Sequence, residues 1–320
     1  MDRRLFLSAL AAGLTGLQAR RGAWAAPLVG PLRILAPAPR GSGSDQTARA
    51  FADGLDIAGL VGMPDVVNEA NALAGFDSFS ETDRGRADIV MVAGLGMVGA
   101  LIVGRSRRDL GAVTPIARLI TEYEAIAVPA ASPLRSLEAL VTTLTRDPAT
   151  VRWFGGVAGG TDHVLAALVA KAAGVPLGRV VYHGTPGGMG SVEQAMATDG
   201  GCVVAGWSEI EPQVAAGRLR PLAISAAQRI PGVNVPTLIE QGIRVDLSMW
   251  RGLFAPPQIT EDERRRLIAL TDDLVATAGW KAKLFQRNWT SSYLSGEAFG
   301  VFVRDETRRM RETLGALGLA

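Results

Sequence analysis

The stretch VRWFGGVAGGTDHVLAALVAKAAG, Val151 to Gly174, holds the unit from which the rest of the chain is built. VRWFG is a short apolar run that reads as a strand, GGVAGG is a turn, and TDHVLAALVAKA has the spacing of a buried helix ending before Gly174. The glycines and the Thr161-Asp162 pair admit two readings. One is a tight turn in which a short polar side chain caps the helix. The other is an anion site, because small residues let a ligand approach the backbone and a helix start presents unpaired N–H groups at the positive end of its dipole.

Outward from this unit the same alternation recurs. Candidate strands lie at 31–37, 64–68, 87–93, 115–120 and 123–129, then at 151–155, 179–183, 201–206 and 219–225, with helical or turn segments between them. Strand–helix alternation with glycine-rich strand ends predicts α/β sheets covered by helices. The two series, followed by an Arg- and Glu-rich helical tail, fit two lobes joined by crossing strands, one crossing near 126–131 and the return near 249–254. Strand ends and helix starts of both lobes then face a shared cleft, where ligands of open α/β sheets bind.

The N-terminus, MDRRLFLSALAAGLTGLQARRGAWAAP, combines paired arginines at Arg3 and Arg4, a glycine-broken apolar segment and an Ala23-Trp24-Ala25 cleavage site. It reads as an export signal over residues 1–25, of a twin-arginine-like kind. No later segment reaches the roughly 18 uninterrupted apolar residues of a membrane span. Residues 1–25 carry four of the 33 Lys and Arg and one of the 31 Asp and Glu, so 29 basic side chains face 30 acidic ones in the remainder. That balance gives no footing for nucleic-acid binding, which needs a basic face. Cys202 is the single cysteine, which excludes an internal disulfide, and its apolar setting GCVVAG predicts a buried, inert thiol. Export without disulfide or lipid anchor points to a periplasm.

Three glycine-rich strand-to-helix turns are candidates for an anion site: Gly41-Ser42-Gly43-Ser44-Asp45, Gly155 to Asp162, and Gly184-Thr185-Pro186-Gly187-Gly188-Met189-Gly190. A fourth, Gly94-Leu95-Gly96-Met97-Val98-Gly99, matches G-x-G-x-x-G, but it lies well into the chain and lacks the acidic residue that should close the next strand. It reads as a cleft-wall loop. The two histidines, His163 and His183, belong to no metal-ligand pattern, and neither a G-x-S-x-G elbow nor a phosphate-binding G-x-x-x-x-G-K-[ST] loop occurs. No metal and no cofactor are expected. Glu209 and Glu211 read as first-turn carboxylates of a helix, and ERRR at 263–266 as a solvated helix face.

The series APAPRGSGSD (36–45), ADIVMVAGLGMVGA (87–100), TPIARLITEYEAIAVPAASPLRSLEAL (114–140), GGVAGGTDHVLAALVAKAAGV (155–175), VVYHGTPGG (180–188), AAGRLRPLAISAAQR (215–229), VPTLIEQGI (235–243) and WRGLFAPP (250–257) resembles the solute-binding proteins of tripartite tricarboxylate transporters, the Bug family. The resemblance implies a two-lobe, type II-like periplasmic-binding-protein fold of Venus-flytrap kind, each lobe a mixed sheet flanked by helices. It implies a receptor, not an enzyme, that captures a small carboxylate and delivers it to membrane permease subunits. Lobe 1 is expected over 28–127 plus 252–320, lobe 2 over 128–251, and the chain as a monomer. Family ligands lie between loops that correspond here to Gly41–Asp45 and Gly159–Asp162. The family's Phe-Pro-Pro-Gly-Gly is replaced by Ala38-Pro39-Arg40-Gly41-Ser42, which removes an aromatic wall and brings in a guanidinium suited to a further carboxylate, hence di- or tricarboxylates. The expected ligand-binding residues are Arg40, Gly41, Ser42, Gly43, Ser44, Gly94, Gly159, Gly160, Thr161, Asp162, Gly184, Gly187 and Trp207. Asp162 is assigned to capping or to a bridging water, since a carboxylate repels a bound carboxylate, and Tyr123 is a further candidate cleft wall. The rival readings are an exported α/β enzyme using His163 or a nucleotide, and a ligand-sensing partner of a signalling protein.

Overall fold

The computed structural model describes residues 31–185 and 189–320. The export signal and Gly187 lie outside the described residues. The chain opens with three parallel strands, β1 (Arg33–Ala36), β2 (Asp65–Asn68) and β3 (Ile89–Gly94), with β1 in the middle. Each is followed by a helix: α1 (Gly43–Ile57), α2 (Ala72–Glu81) and α3 (Leu95–Val103). The Ser42 hydroxyl caps α1 by accepting from the Asp45 N–H, so this helix begins earlier than the apolar spacing from Gln46 predicts.

The next strand, β4, is a single run of 16 residues, Thr114–Pro129. Sequence reading divides it in two, because Thr121, Glu122 and Glu124 interrupt the apolar pattern. The polar residues are nevertheless carried into the interior, with Glu122 and Glu124 both buried. At about 3.3 Å per residue the strand spans roughly 50 Å, enough to serve two sheets. Its first part, up to Tyr123, pairs antiparallel with β9 (Ser248–Ala255), and beyond Tyr123 it pairs antiparallel with β7 (Gly201–Gly206) and β8 (Leu219–Ile224). The first sheet thus runs β2-β1-β3-β9-β4 and the second β4-β7-β5-β6, where β5 (Arg152–Gly155) and β6 (Val181–Gly184) are parallel to each other. Both sheets are mixed.

The second sheet carries α4 (Leu137–Arg146), α5 (Thr161–Ala172), α6 (Met189–Met196) and α7 (Trp207–Ala215). After β9 the chain returns to the first sheet with α8 (Glu261–Ala276), α9 (Ala278–Gln286), a polar strand β10 (Thr290–Ser295) and α10 (Gly296–Ala316). β10 pairs antiparallel with β4. Its sequence, TSSYLS, has too little apolar alternation to announce a strand. Every residue of β3 and β7 is buried, as expected of strands covered on both faces. Cys202 on β7 is wholly buried, and burial pushes its thiol pKa far up, so it stays protonated.

β9 lies between β3 and β4 and has no room for added bulk at Gly252. A Cβ there would sit 2.6 Å from the Ala117 carbonyl oxygen and 2.6 Å from the Phe299 ring of α10. Replacing Gly252 by Ala is expected to lower unfolding stability by about 1–3 kcal/mol, the range for overpacking a tight interior. Denaturant unfolding of the two proteins measures it.

Candidate functional site

The C-terminal ends of β1, β3 and β5 point into one cavity of ≈ 130 Å³ between the sheets. The β1–α1 turn contributes Pro37, Pro39, Ser42, Gly43 and Ser44; the β3–α3 turn contributes Gly94, Gly96 and Met97. From the second sheet come Gly156, Val157, Gly160, Thr161 and Asp162 before and in α5, and Glu209 from α7. Met249, Trp250 and Arg251 of β9 complete the wall. Seven of the sequence-predicted residues therefore meet there: Ser42, Gly43, Ser44, Gly94, Gly160, Thr161 and Asp162.

Two helix starts in this wall are uncapped. Neither Gly94, before α3, nor Gly160, before α5, offers a side chain to the first-turn N–H groups. The dipoles of the two helices place partial positive charge, about half a unit each, at these ends. At α1 the corresponding positions are already in use by Ser42, and Asp45 accepts from the Gly41 N–H at 2.8 Å. At α7 the Ser208 N–H donates to Glu122 at 2.7 Å.

The remaining predicted residues are held elsewhere. Arg40 and Gly41 are exposed and do not line the cavity, so the guanidinium on which a preference for di- or tricarboxylates rests is not directed at it. Gly159 faces α3, has a left-handed φ of 82°, and would place a Cβ 2.2 Å from Val103 Cγ2. Gly184 is exposed, and Trp207 is buried in the core of the second sheet with Ala205 and Ile210. Tyr123 packs against that same core.

The G-x-G-x-x-G match has a packing explanation. A Cβ on Gly94 would fall 2.0 Å from the Trp250 carbonyl oxygen, and one on Gly99 would fall 2.0 Å from the Gly159 carbonyl oxygen. Only Gly96 faces open space, where a Cβ would meet nothing nearer than Thr161 Oγ1 at 4.0 Å. His163 accepts the Gly159 N–H through Nδ1 at 3.1 Å and stacks on Tyr182 at 4.1 Å. Burial lowers its pKa, so the imidazole is a neutral loop support rather than a base.

The floor of the cavity is a charge cluster that sequence reading misses. Arg251 on β9 is 5% exposed and donates through Nη1 to Glu122 Oε2 at 2.7 Å, while its Nη2 lies 3.6 Å from Glu209 Oε1. Gly43 is glycine for this reason, since a Cβ would fall 1.8 Å from Nη2. Burial pushes Glu209 up to about 8, against the pull of Arg251. Glu124, also buried, lies against the Thr161 hydroxyl and the Asp162 carboxyl. Burial first, and the Asp162 carboxylate second, hold its pKa well above the usual range, and a proton retained on Glu124 can bridge to Asp162. Asp162 does not cap α5. Its Oδ2 accepts the Gly156 N–H at 2.5 Å, which folds the loop back, and burial raises its pKa too. The available sequence signal was charge inside apolar strand runs, RLITEYEAIAV at 118–128 and SMWRGLFA at 248–255.

Comparison with known proteins places this geometry. Residues 102–319 match the model of the tripartite tricarboxylate transporter family receptor. The periplasmic binding protein BugD superposes with a TM-score of 0.81 at 15% identity, over 90% of this chain and 98% of that one. MatC from Rhodopseudomonas palustris, solved with bound malate, gives 0.77 at 17% identity, over 89% and 98%. An R. palustris protein solved with adipate gives 0.77 at 18% identity, over 90% and 97%. At these identities the likeness establishes an α/β periplasmic-binding-protein fold. Among curated proteins none matches the sequence.

Glu209 makes a pH prediction. Its folded pKa of about 8 lies above the ordinary glutamate value of 4.5, so between these values the unfolded chain has lost a proton that the native state keeps. The stability it confers is full below the unfolded pKa and declines, by up to about 1.4 kcal/mol per pH unit, as pH rises toward the folded pKa. Denaturant unfolding between pH 5 and 8 should show the parent losing stability relative to Glu209→Gln, whose amide cannot ionise.

Proposed function

The chain belongs to the tripartite tricarboxylate transporter receptor family, and from that premise we propose that it captures a small carboxylate in the cavity between its sheets and delivers it to membrane permease subunits. The family consists of solute-binding receptors without enzymatic activity of their own. In this reading the two sheets are the cores of two lobes, 28–127 with 252–320 and 128–251, which close over the ligand. The signal at residues 1–25 takes the protein to the periplasm, where it acts as a monomer.

The observation that carries the carboxylate reading is the meeting of two uncapped helix starts, at Gly94 and Gly160, on one small cavity. Free first-turn N–H groups and like-oriented dipole ends stabilise an anion without any positively charged side chain. The Thr161 hydroxyl lies in the same wall and donates to Asp162 Oδ1 at 3.2 Å, so a ligand would have to compete for its proton. Malate in MatC and adipate in its R. palustris relative are consistent with this class of ligand. Thr161→Ala and Gly160 variants address the same donors. Gly159→Val does not isolate ligand binding, because its side chain would strike Val103.

Gly96 offers the cleaner test. Gly96 lines the cavity, and a Cβ there would meet no protein atom closer than Thr161 Oγ1 at 4.0 Å. Calorimetric titration of the mature protein with malate, adipate, succinate, aspartate, glutamate and NAD is expected to show binding of at least one carboxylate and none of NAD. Gly96→Val is expected to weaken that binding by about tenfold or more, as loss of one charge-assisted hydrogen bond would, with an unchanged melting temperature. Binding of NAD alone would overturn the receptor reading.

A further inference from the structure

The loop at 155–160, which leads from β5 into the uncapped start of α5, owes its shape to side chains packed behind it. Tyr182 on β6 donates its hydroxyl to the Gly156 carbonyl at 2.8 Å, and Asp162 accepts the Gly156 N–H. His163, the third residue of α5, accepts the Gly159 N–H through Nδ1 at 3.1 Å. The Tyr182 and His163 rings are stacked, with 4.1 Å between centroids and 17° between planes, so they act as one strut that holds the loop at two points. Neither ring lines the cavity.

The position of Gly159 matters twice. It is buried, and its carbonyl oxygen lies so close to Gly99 of α3 that a Cβ on Gly99 would fall 2.0 Å from it, so the loop is where the second sheet meets a helix of the first. The next residue, Gly160, is the one from which α5 presents its first-turn N–H groups in the cavity wall. Moving Gly159 therefore moves the start of α5 relative to the start of α3. The hydrogen bond that fixes it is conditional. Nδ1 accepts only while the imidazole is neutral with its proton on Nε2, whereas an imidazolium carries N–H on both nitrogens and would set a donor against the Gly159 donor.

We propose that Tyr182 and His163 are positioning residues for the α5 side of the site, and that a proton on His163 releases the loop and with it the ligand. The proposal rests on the carboxylate-receptor reading and adds a release step to it. The titratable groups around the ring are Tyr182, stacked on it, and Asp162, its neighbour in α5, which is engaged by Gly156 and Thr161. From β4 come Glu124, which lies against Asp162, and Glu122, which Arg251 holds. α3 brings no titratable side chain, and β7 brings only Cys202, which stays protonated. His183 on β6 is exposed and stacks on Phe154. Arg152, at the start of β5, and Arg179, beyond the end of α5, are exposed at the opposite end of the helix. With no free carboxylate to hold an imidazolium, burial keeps the His163 pKa below its ordinary 6.5 while the loop is in place. The bond to Gly159 is thus complete above that value and weakens as pH falls below it.

The test separates the acceptor from the charge. His163→Asn places a carbonyl oxygen near the position of Nδ1 and cannot ionise, and His163→Phe keeps a ring to stack but no acceptor. Both are compared with the parent mature protein from about pH 7.5 to about 5.5, by hydrogen exchange at the Gly159 amide without ligand and by calorimetric titration with whichever of malate, adipate, succinate, aspartate and glutamate binds tightest. At the upper pH His163→Phe is expected to weaken binding about fivefold or more, the cost of a buried N–H left without its acceptor, and His163→Asn to recover most of that loss. On acidification the parent should lose Gly159 protection, and about threefold or more affinity beyond what His163→Asn loses. Titration of Asp162, Glu124 and Glu209 is common to both proteins and cancels in the comparison. Tyr182→Phe, which keeps the ring without the hydroxyl, should weaken binding and leave the pH profile as it is; affinity equal to the parent's would strike Tyr182 from the strut. Should His163→Phe fail to fold, the parent and His163→Asn decide the matter. Parallel pH profiles for those two, in either measurement, overturn the inference and leave the carboxylate reading standing. Binding of none of the five acids overturns that reading, and Gly159 exchange then decides whether the loop answers to the proton.

Discussion

The guanidinium of Arg251 stands where the two sheets part. On one side of β9 it pairs in register with Gly94 at the end of β3, and on the other with Ile120 on β4, just before β4 leaves the first sheet for the second. Its Nη1 holds Glu122, whose other oxygen accepts the first-turn N–H of Ser208 on α7. One buried ion pair therefore ties β9 of the first sheet to the shared strand β4 and to a helix of the second sheet. Removing either partner from such a pair leaves a buried charge without compensation, a loss of about 3–5 kcal/mol. The same pair costs the protein its freedom of register at β4 and β9, since a one-residue slip would turn both charges out of the cluster.

Around this pair the glycines do work that no other residue could. Gly43 makes room for the guanidinium, and Gly94 for the Trp250 carbonyl. Gly99 and Gly159 let α3 and the loop before α5 touch backbone to backbone, with the Gly159 φ of 82° turning that loop toward Val103. Side chains at these positions would push the elements apart by their own thickness. Close approach is what brings the starts of α3 and α5, which belong to different sheets, to the rim of one small cavity. Packing and binding are thus the same constraint seen from two sides, and glycine-rich turns read as ligand loops are in part joints.

Much of the architecture was legible in the sequence because strand–helix alternation follows from hydrophobic spacing alone. The strands near 33–36, 89–94, 152–155 and 201–206 are apolar runs that end in or near glycine, and they stand where that spacing puts them. The continuity of β4 was not legible, because Thr121, Glu122 and Glu124 resemble a turn until Arg251, more than 120 residues later, supplies the partner that lets Glu122 be buried. β10 was hidden for a different reason: as a half-exposed strand against β4 it needs little apolar character. Within the cavity wall, the residues read from sequence were those that act through the backbone, such as Gly94, Gly160 and Thr161. Those that act through long-range side-chain charge, Glu122, Glu124 and Arg251, were missed, and Glu209 was read only as a helix-dipole carboxylate. Local pattern carries turn geometry, but a charge inside an apolar run shows only that a partner is needed, not which distant residue supplies it.

This division bears on how a receptor of this fold acquires its ligand. Helix starts and glycine turns present N–H groups whose positions depend on backbone path, so they accept a carboxylate whatever carries it. In the proposed reading, discrimination among carboxylates falls to the other side chains of the cavity wall, Asp162, Glu209, Met97, Met249 and Trp250. A substitution at the exposed Arg40 alters the approach to the cavity without altering its lining. Substitutions of the charged residues on β4, α7 or β9 change the charge of the floor while the starts of α3 and α5 stay in place. The separation is physical, since the N–H groups belong to the ends of α3 and α5 and the carboxyl cluster is anchored mainly on β4, β9 and α7. Asp162 joins the two, sitting in the first turn of α5 while its carboxyl reaches back to Gly156 and against Glu124. Asp162 alone belongs to both the uncapped helix start and the acidic floor, so a substitution there changes both at once.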